Sequence, residues 1–147
     1  MTLHFEDLTP GRTFDLGTVR IEEGEMLEFS RRFDPQWYHV DQARAEASSW
    51  GGLIASGWFT ASLCMRAYVD AVLSDAEADT SPGLEELRWL APVRAGDELR
   101  MVLTVVDAVD SSRGPHLGTA VLRWEVFRDA VLVLRMQGRG WFHRRPG

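Results

Sequence analysis

Two hydrophobic periods divide this chain. Residues 13–21 are β-compatible and follow a Pro10-Gly11 turn. From Glu22 to Phe33 the apolar positions take helical spacing, with Met26, Leu27, Phe29, Ser30 and Phe33 outlining one face. Glu22, Glu23, Glu25 and Glu28 lead this segment and Arg31-Arg32 close it, the charge order that a helix dipole favours. Asp34-Pro35 ends it, because a residue before proline avoids the α region. Asp41 stands where it can N-cap a short helix from Gln42 to Ala47, and residues 48–52 form a loop. A third helix runs from Gly57 or Trp58 to Leu73 and is apolar almost all round, which predicts a place in the middle of a domain. Arg66 and Asp70, four apart on it, are spaced to pair.

After the polar loop 74–83 the period becomes two. Leu84–Val93, Glu98–Val109, His116–Phe127 and Val131–His143 read as strands joined by short turns. In the last of them Leu132, Leu134, Met136 and Gly138 are expected on one face, and Val133, Arg135, Gln137 and Arg139 on the other. One all-round apolar helix followed by four long strands predicts an α+β fold, a single domain over residues 1–147. In it a curved antiparallel sheet wraps around the central helix, since the sheet's apolar face needs a cover. Exposed sheet edges predict pairing with a second copy.

Composition narrows the chemistry. All 16 basic residues are Arg, and neither Lys nor Asn occurs. Missing Lys excludes Schiff-base catalysis, PLP chemistry and a phosphate-loop NTPase, and missing Asn excludes an N-glycosylation acceptor. A net charge of -6 provides no basic field for a nucleic acid. Cys64 is alone and cannot form an internal disulfide. No signal peptide is readable at the N-terminus, and the most apolar stretch, 58–73, is too short to span a bilayer. These features predict a soluble, cytoplasmic domain that binds neither membrane nor nucleic acid.

The densest chemical signal is Phe33-Asp34-Pro35-Gln36-Trp37-Tyr38-His39-Val40-Asp41, followed by Gly52-Leu53-Ile54-Ala55-Ser56-Gly57-Trp58. An Asp and a His five residues apart on an irregular, aromatic-lined turn can converge on one water. Free N–H groups where the apolar helix opens at Gly57 suit a developing oxyanion. A His39-x-Asp41 pair with His116 or His143 would also be the donor set of a non-haem iron triad. That site normally lies on a double-sheet barrel, whereas here the pair leads into a helix, so no metal is expected.

In these segments the chain resembles the MaoC-like dehydratases, the (R)-specific enoyl-CoA hydratase branch of the hot-dog fold. The family pattern is Asp-x-Asn-Pro-x-His-x-Asp, then an Ile-Ala-His-Gly-like element whose Gly lies 18 residues after the His, as Gly57 lies after His39. The openings Phe5–Gly11 and Leu87–Asp97 agree as well, so the likeness runs from about residue 5 to residue 142. It implies reversible hydration of a trans-2-enoyl thioester of CoA or acyl carrier protein, without a cofactor, in a homodimer or trimer of dimers. By the same resemblance Asp34 and His39 hold the attacking water, with Asp34 as base, and the Gly57 N–H binds the thioester oxygen. Gln36 and Ser56, at the family's Asn and His positions, are then substrate-side residues. Aromatic character and proximity place Trp37, Tyr38 and Trp58 along the acyl pocket. Among Arg-rich strand faces expected to be solvated, Arg88 or Arg94 could meet CoA phosphates. Gln36 replaces the usual Asn, Trp37 the usual Pro and Ser56 the usual His. The same fold hosts acyl-CoA thioesterases and non-catalytic acyl-binding subunits, which an assay for free thiol or for hydration separates.

Overall fold

The computed structural model describes residues Met1–Gly147, and its strands form one antiparallel sheet. The strands are β1 (Thr13–Arg20), β2 (Gly83–Trp89), β3 (Glu98–Asp110), β4 (Leu117–Arg128) and β5 (Val131–His143), in the order β1-β3-β4-β5-β2. Four helices precede the long strands: α1 (Glu23–Phe33), α2 (Trp37–Val40), α3 (Gln42–Glu46) and α4 (Gly57–Ala71). The hot-dog arrangement implied by the resemblance is what the chain adopts.

Local chemistry accounts for two of the element ends and for a bulge in β1. Asp41 accepts a hydrogen bond from the Arg44 N–H at 3.1 Å and so caps α3, as its position predicts. The hairpin between β4 and β5 is closed by Asp129-Ala130, and Asp129 takes the left-handed backbone (φ 51) that a two-residue turn requires. In β1 the register skips Leu16 beside Gly17 (φ 91), and this bulge turns Leu16 into the core.

Three expectations need correction. Residues 37–40 form a short helix where an irregular turn is expected, because four residues are too few to show a period. The second strand stops at Trp89; the Leu90 N–H still donates to the Val133 carbonyl at 2.9 Å, and the chain then leaves the sheet at Pro92, which cannot donate to a ladder. In β5 the pairing passes from Val126↔Leu134 to Phe127↔Leu132, so Val133 is skipped and buried with Leu134 instead of facing away.

The core lies between α4 and the concave face of the sheet. Leu99, Met101, Leu103 and Val105 alternate inward along β3, and Leu122, Trp124, Val126, Leu134 and Met136 join them from β4 and β5. From α4 come Phe59, Cys64, Ala67 and Tyr68. Burial pushes the Cys64 thiol up to about 12, so this thiol stays protonated and inert. The opposite side of α4 is open in a single copy, with Trp58 at 56% and Met65 at 50% exposure. The all-round apolar pattern therefore describes a helix that one chain only half covers. The Arg66–Asp70 pair forms at 2.9 Å on this exposed side.

Candidate active site

The segment after α1 turns sharply at Asp34 (φ -150, ψ 67), whose N–H still bonds the Ser30 carbonyl at 2.8 Å. Extended Gln36 then starts α2, which carries Tyr38 and His39 back toward the turn. A second strand of chain, residues 53–56, fixes this hairpin from below. The Ile54 N–H donates to the Tyr38 carbonyl at 3.0 Å, and the Ala55 N–H donates to the Val93 carbonyl at 2.7 Å. Asp34, His39, Ser56 and Gly57 are brought together by these contacts.

His39 is buried at 5% exposure, and each ring nitrogen faces an oxygen. Nδ1 lies 2.8 Å from the Ile54 carbonyl, which can only accept, so Nδ1 carries a proton. Nε2 faces Asp34 Oδ2 at 3.2 Å. In the neutral ring Nε2 then bears a lone pair, so two acceptors meet and a proton from a third group is needed to bridge them. The Tyr38 ring stands edge-on to the imidazole at 4.5 Å and walls one side.

Asp34 is just as constrained. Ser56 Oγ, fully buried, donates to Oδ2 at 2.7 Å, and Gln36 Nε2 donates to Oδ1 at 2.7 Å. The Tyr38 hydroxyl donates in turn to Gln36 Oε1. Burial works against the charged carboxylate, but the Ser56 and Gln36 hydrogen bonds, joined by the charge of His39 when its ring is protonated, outweigh it and hold Asp34 below the ordinary carboxylate range. With its hydroxyl given to Asp34, Ser56 cannot cap α4, although it occupies the N-cap position. The Gly57 and Trp58 N–H groups have no acceptor in the chain, leaving two donors at the positive end of a 15-residue helix.

The other residues singled out by sequence fall differently. Trp37 lies under the Arg44 guanidinium at 4.5 Å, and Trp58 lies on the open face of α4 in an edge-on contact with Trp89, centroids 5.1 Å apart. Gln36, Tyr38 and Ser56 form the hydrogen-bonded support of Asp34. Arg94 donates to the Trp50 and Leu53 carbonyls and so pins the loop below the site, while Arg88 pairs with Glu86 at 3.1 Å. Asp41 is the α3 cap and His143 faces Asp79 at 3.7 Å, so neither reaches His39; no group of three His, Cys, Asp or Glu side chains comes together.

Trp89 is the residue that sequence reasoning missed. Its indole packs so closely on Gly57 that a Cβ there would lie 2.3 Å from the ring. The only local signal was the Trp in Leu87–Asp97; the contact itself joins β2 to α4 across the chain. Beside it, a groove of about 510 Å³ runs along α4 under β5, with Trp58, Met65, Tyr68, Leu84, Trp124 and Met136 among its walls. No helix is long and apolar enough to cross a membrane.

The chain is similar to known proteins in sequence and in fold. The chain is similar to the MaoC-like dehydratase from Rhodospirillum rubrum, a solved structure, with 35% identity, a TM-score of 0.90 and 99% of each chain covered. It is 32% identical over 94 residues to 3-hydroxyacyl-thioester dehydratase Z of Mycobacterium tuberculosis, a stretch that is 63% of this chain and 62% of that one. The (R)-hydratase from A. caviae involved in PHA biosynthesis shares the fold at a TM-score of 0.72 and 20% identity, over 96% of this chain and 99% of that one. A family model described as MaoC like domain matches residues 6–124, and the chain belongs to that family.

Proposed function

We propose that this protein hydrates a trans-2-enoyl thioester to the (R)-3-hydroxyacyl thioester and catalyses the reverse dehydration. The observation that carries the reading is the pair of facing acceptors, Asp34 Oδ2 and His39 Nε2, 3.2 Å apart beside the free N–H groups of α4. A water seated against both gives one hydrogen to each. As its oxygen attacks C3, Asp34 takes the proton, and the π electrons move onto the thioester oxygen. The Gly57 N–H meets that developing charge, a contact worth about 3–4 kcal/mol in the transition state. The proton then passes through His39 to C2, so that H and OH have been added across the double bond. The lowered basicity of Asp34 keeps it ionised and ready to accept at neutral pH.

The relatives support the substrate class, because a 3-hydroxyacyl thioester and an enoyl thioester are the two ends of this reaction. The acyl chain enters the groove along α4, which lies in the volume range of small-molecule pockets and is walled mainly by apolar side chains. A second copy packs on the unpaired edge of β2 and the open side of α4, where Trp58, Met65, Leu84, Trp89 and Leu90 are exposed, and so roofs the groove that Trp58, Met65 and Leu84 line without filling it. The carrier is CoA or acyl carrier protein. The test is substitution of the pair. Asp34→Asn or His39→Ala is expected to lower hydration of an enoyl-CoA by two or more orders of magnitude with the fold intact by circular dichroism. Near wild-type turnover in both variants would overturn the assignment, and release of free CoA thiol in place of hydration would make the protein a thioesterase.

A further inference from the structure

Of the polar side chains that line the groove, Ser62, Asp79, Thr80, Ser81 and Arg139 are exposed, and Tyr68 alone is buried. Trp58, Ala61, Ser62, Met65 and Tyr68 form a single stripe at positions i, i+3, i+4, i+7 and i+10 of α4, and all five line it. The stripe begins beside Gly57 and ends at Tyr68, eleven residues on, which is about 16 Å along the axis at a helical rise of 1.5 Å per residue. Tyr68 is only 6% exposed, and its ring stands edge-on to Trp124 at 5.2 Å. Burial pushes the phenol up, and no hydrogen bond offsets that push. The fully enclosed polar side-chain atoms without partners are His4 Nδ1 and Ser30 Oγ, and the Tyr68 hydroxyl is not one of them. Tyr68 lines the groove, so the exposure it keeps is to the groove, which Met65, Trp124, Met136 and Phe142 also line.

A hydroxyl held in this way discriminates. A methyl-ended chain that reaches Tyr68 strips its water and leaves the phenol unpaired. A chain ending in a hydroxyl or carbonyl oxygen replaces that water. We infer that Tyr68 is a specificity-determining residue that selects medium-length enoyl thioesters carrying a neutral hydrogen-bonding group at the far end of the acyl chain. The inference rests on the hydratase reading above, since that reading places the thioester at Gly57 and so directs the chain along α4. Arg139 and Asp79 also line the groove, but both are exposed, Arg139 giving its Nε to Glu85 at 2.6 Å and Asp79 facing His143, so the one buried partner on the groove wall is the uncharged phenol.

The experiment uses two trans-2-enoyl-CoA thioesters matched in length, one ending in a methyl group and one in a primary hydroxyl. Wild-type kcat/KM is expected to favour the hydroxyl-ended substrate by roughly ten- to a hundredfold, the usual range for stranding a buried hydrogen-bonding group. Tyr68→Phe keeps the ring on Trp124, and it is expected to erase the preference by slowing the hydroxyl-ended substrate and speeding the methyl-ended one. A merely structural role would move both substrates in the same direction. Equal kcat/KM for the two substrates in wild type, or a preference unchanged in Tyr68→Phe, overturns this inference and leaves the hydratase reading standing. Failure to hydrate either substrate, or any shorter enoyl-CoA, overturns both.

Discussion

Replacing Gly57 by Ala tests the closest contact at the site. The added Cβ would lie 2.3 Å from Cε2 and 2.4 Å from Nε1 of Trp89, well inside van der Waals contact. The backbone of Gly57 is fixed by α4, so the indole must move. Trp89 is 45% exposed at the end of the edge strand β2 and can swing outward, which limits the cost. Moving it breaks the edge-on contact with Trp58, worth about 0.5–1.5 kcal/mol, and uncovers the first turn of α4. The expected destabilisation is about 1–3 kcal/mol, typical of one methyl group too many in a packed site. In a Trp89→Ala background the clash is gone, and the same Gly57→Ala change adds a better helix former, stabilising by up to about 1 kcal/mol. The sign of the effect therefore reverses with residue 89. Urea denaturation of the four proteins of this double-mutant cycle measures it. Equal effects of Gly57→Ala in both backgrounds would refute the packing argument.

Two further outcomes follow from the site and the surface. Ser56→Ala removes the buried donor to Asp34 Oδ2, so the acid limb of kcat/KM is expected to move to higher pH. The sign follows from Asp34 being held below the ordinary carboxylate range: its ionised form survives to lower pH with Ser56 than without it, and an unmoved limb would detach Ser56 from Asp34. Sedimentation of the wild-type protein is expected to give a dimer or a multiple of it. Trp58→Asp together with Met65→Asp is expected to shift it to monomer, and an unaffected assembly would place the interface elsewhere.

The sequence made the sheet legible because β3 keeps strict alternation over Leu99, Met101, Leu103 and Val105, a pattern that burial on one face demands. Where a bulge interrupts that rhythm, as at Val133, alternation misplaces the side chain, since the bulge depends on how β4 and β5 register. The Asp34–His39 pair was legible from spacing within one turn. The Ser56–Asp34 bond spans 22 residues and depends on the loop pinned by Arg94, so Ser56 read as a pocket residue. The cover of Trp89 on Gly57 is likewise a tertiary contact with no local signature. The apolar circumference of α4 reads as depth within one chain, whereas Trp58 and Met65 leave one side of it exposed.

The most direct measurement is to mix the purified protein with a trans-2-enoyl-CoA and follow the ultraviolet absorbance of the conjugated thioester, with product analysis at the end. Water held between Asp34 and His39 predicts loss of that absorbance, formation of the (R)-3-hydroxyacyl-CoA without release of CoA thiol, and near-complete loss of both in Asp34→Asn. Unchanged absorbance across short, branched and medium chains, or full activity in Asp34→Asn, would contradict it.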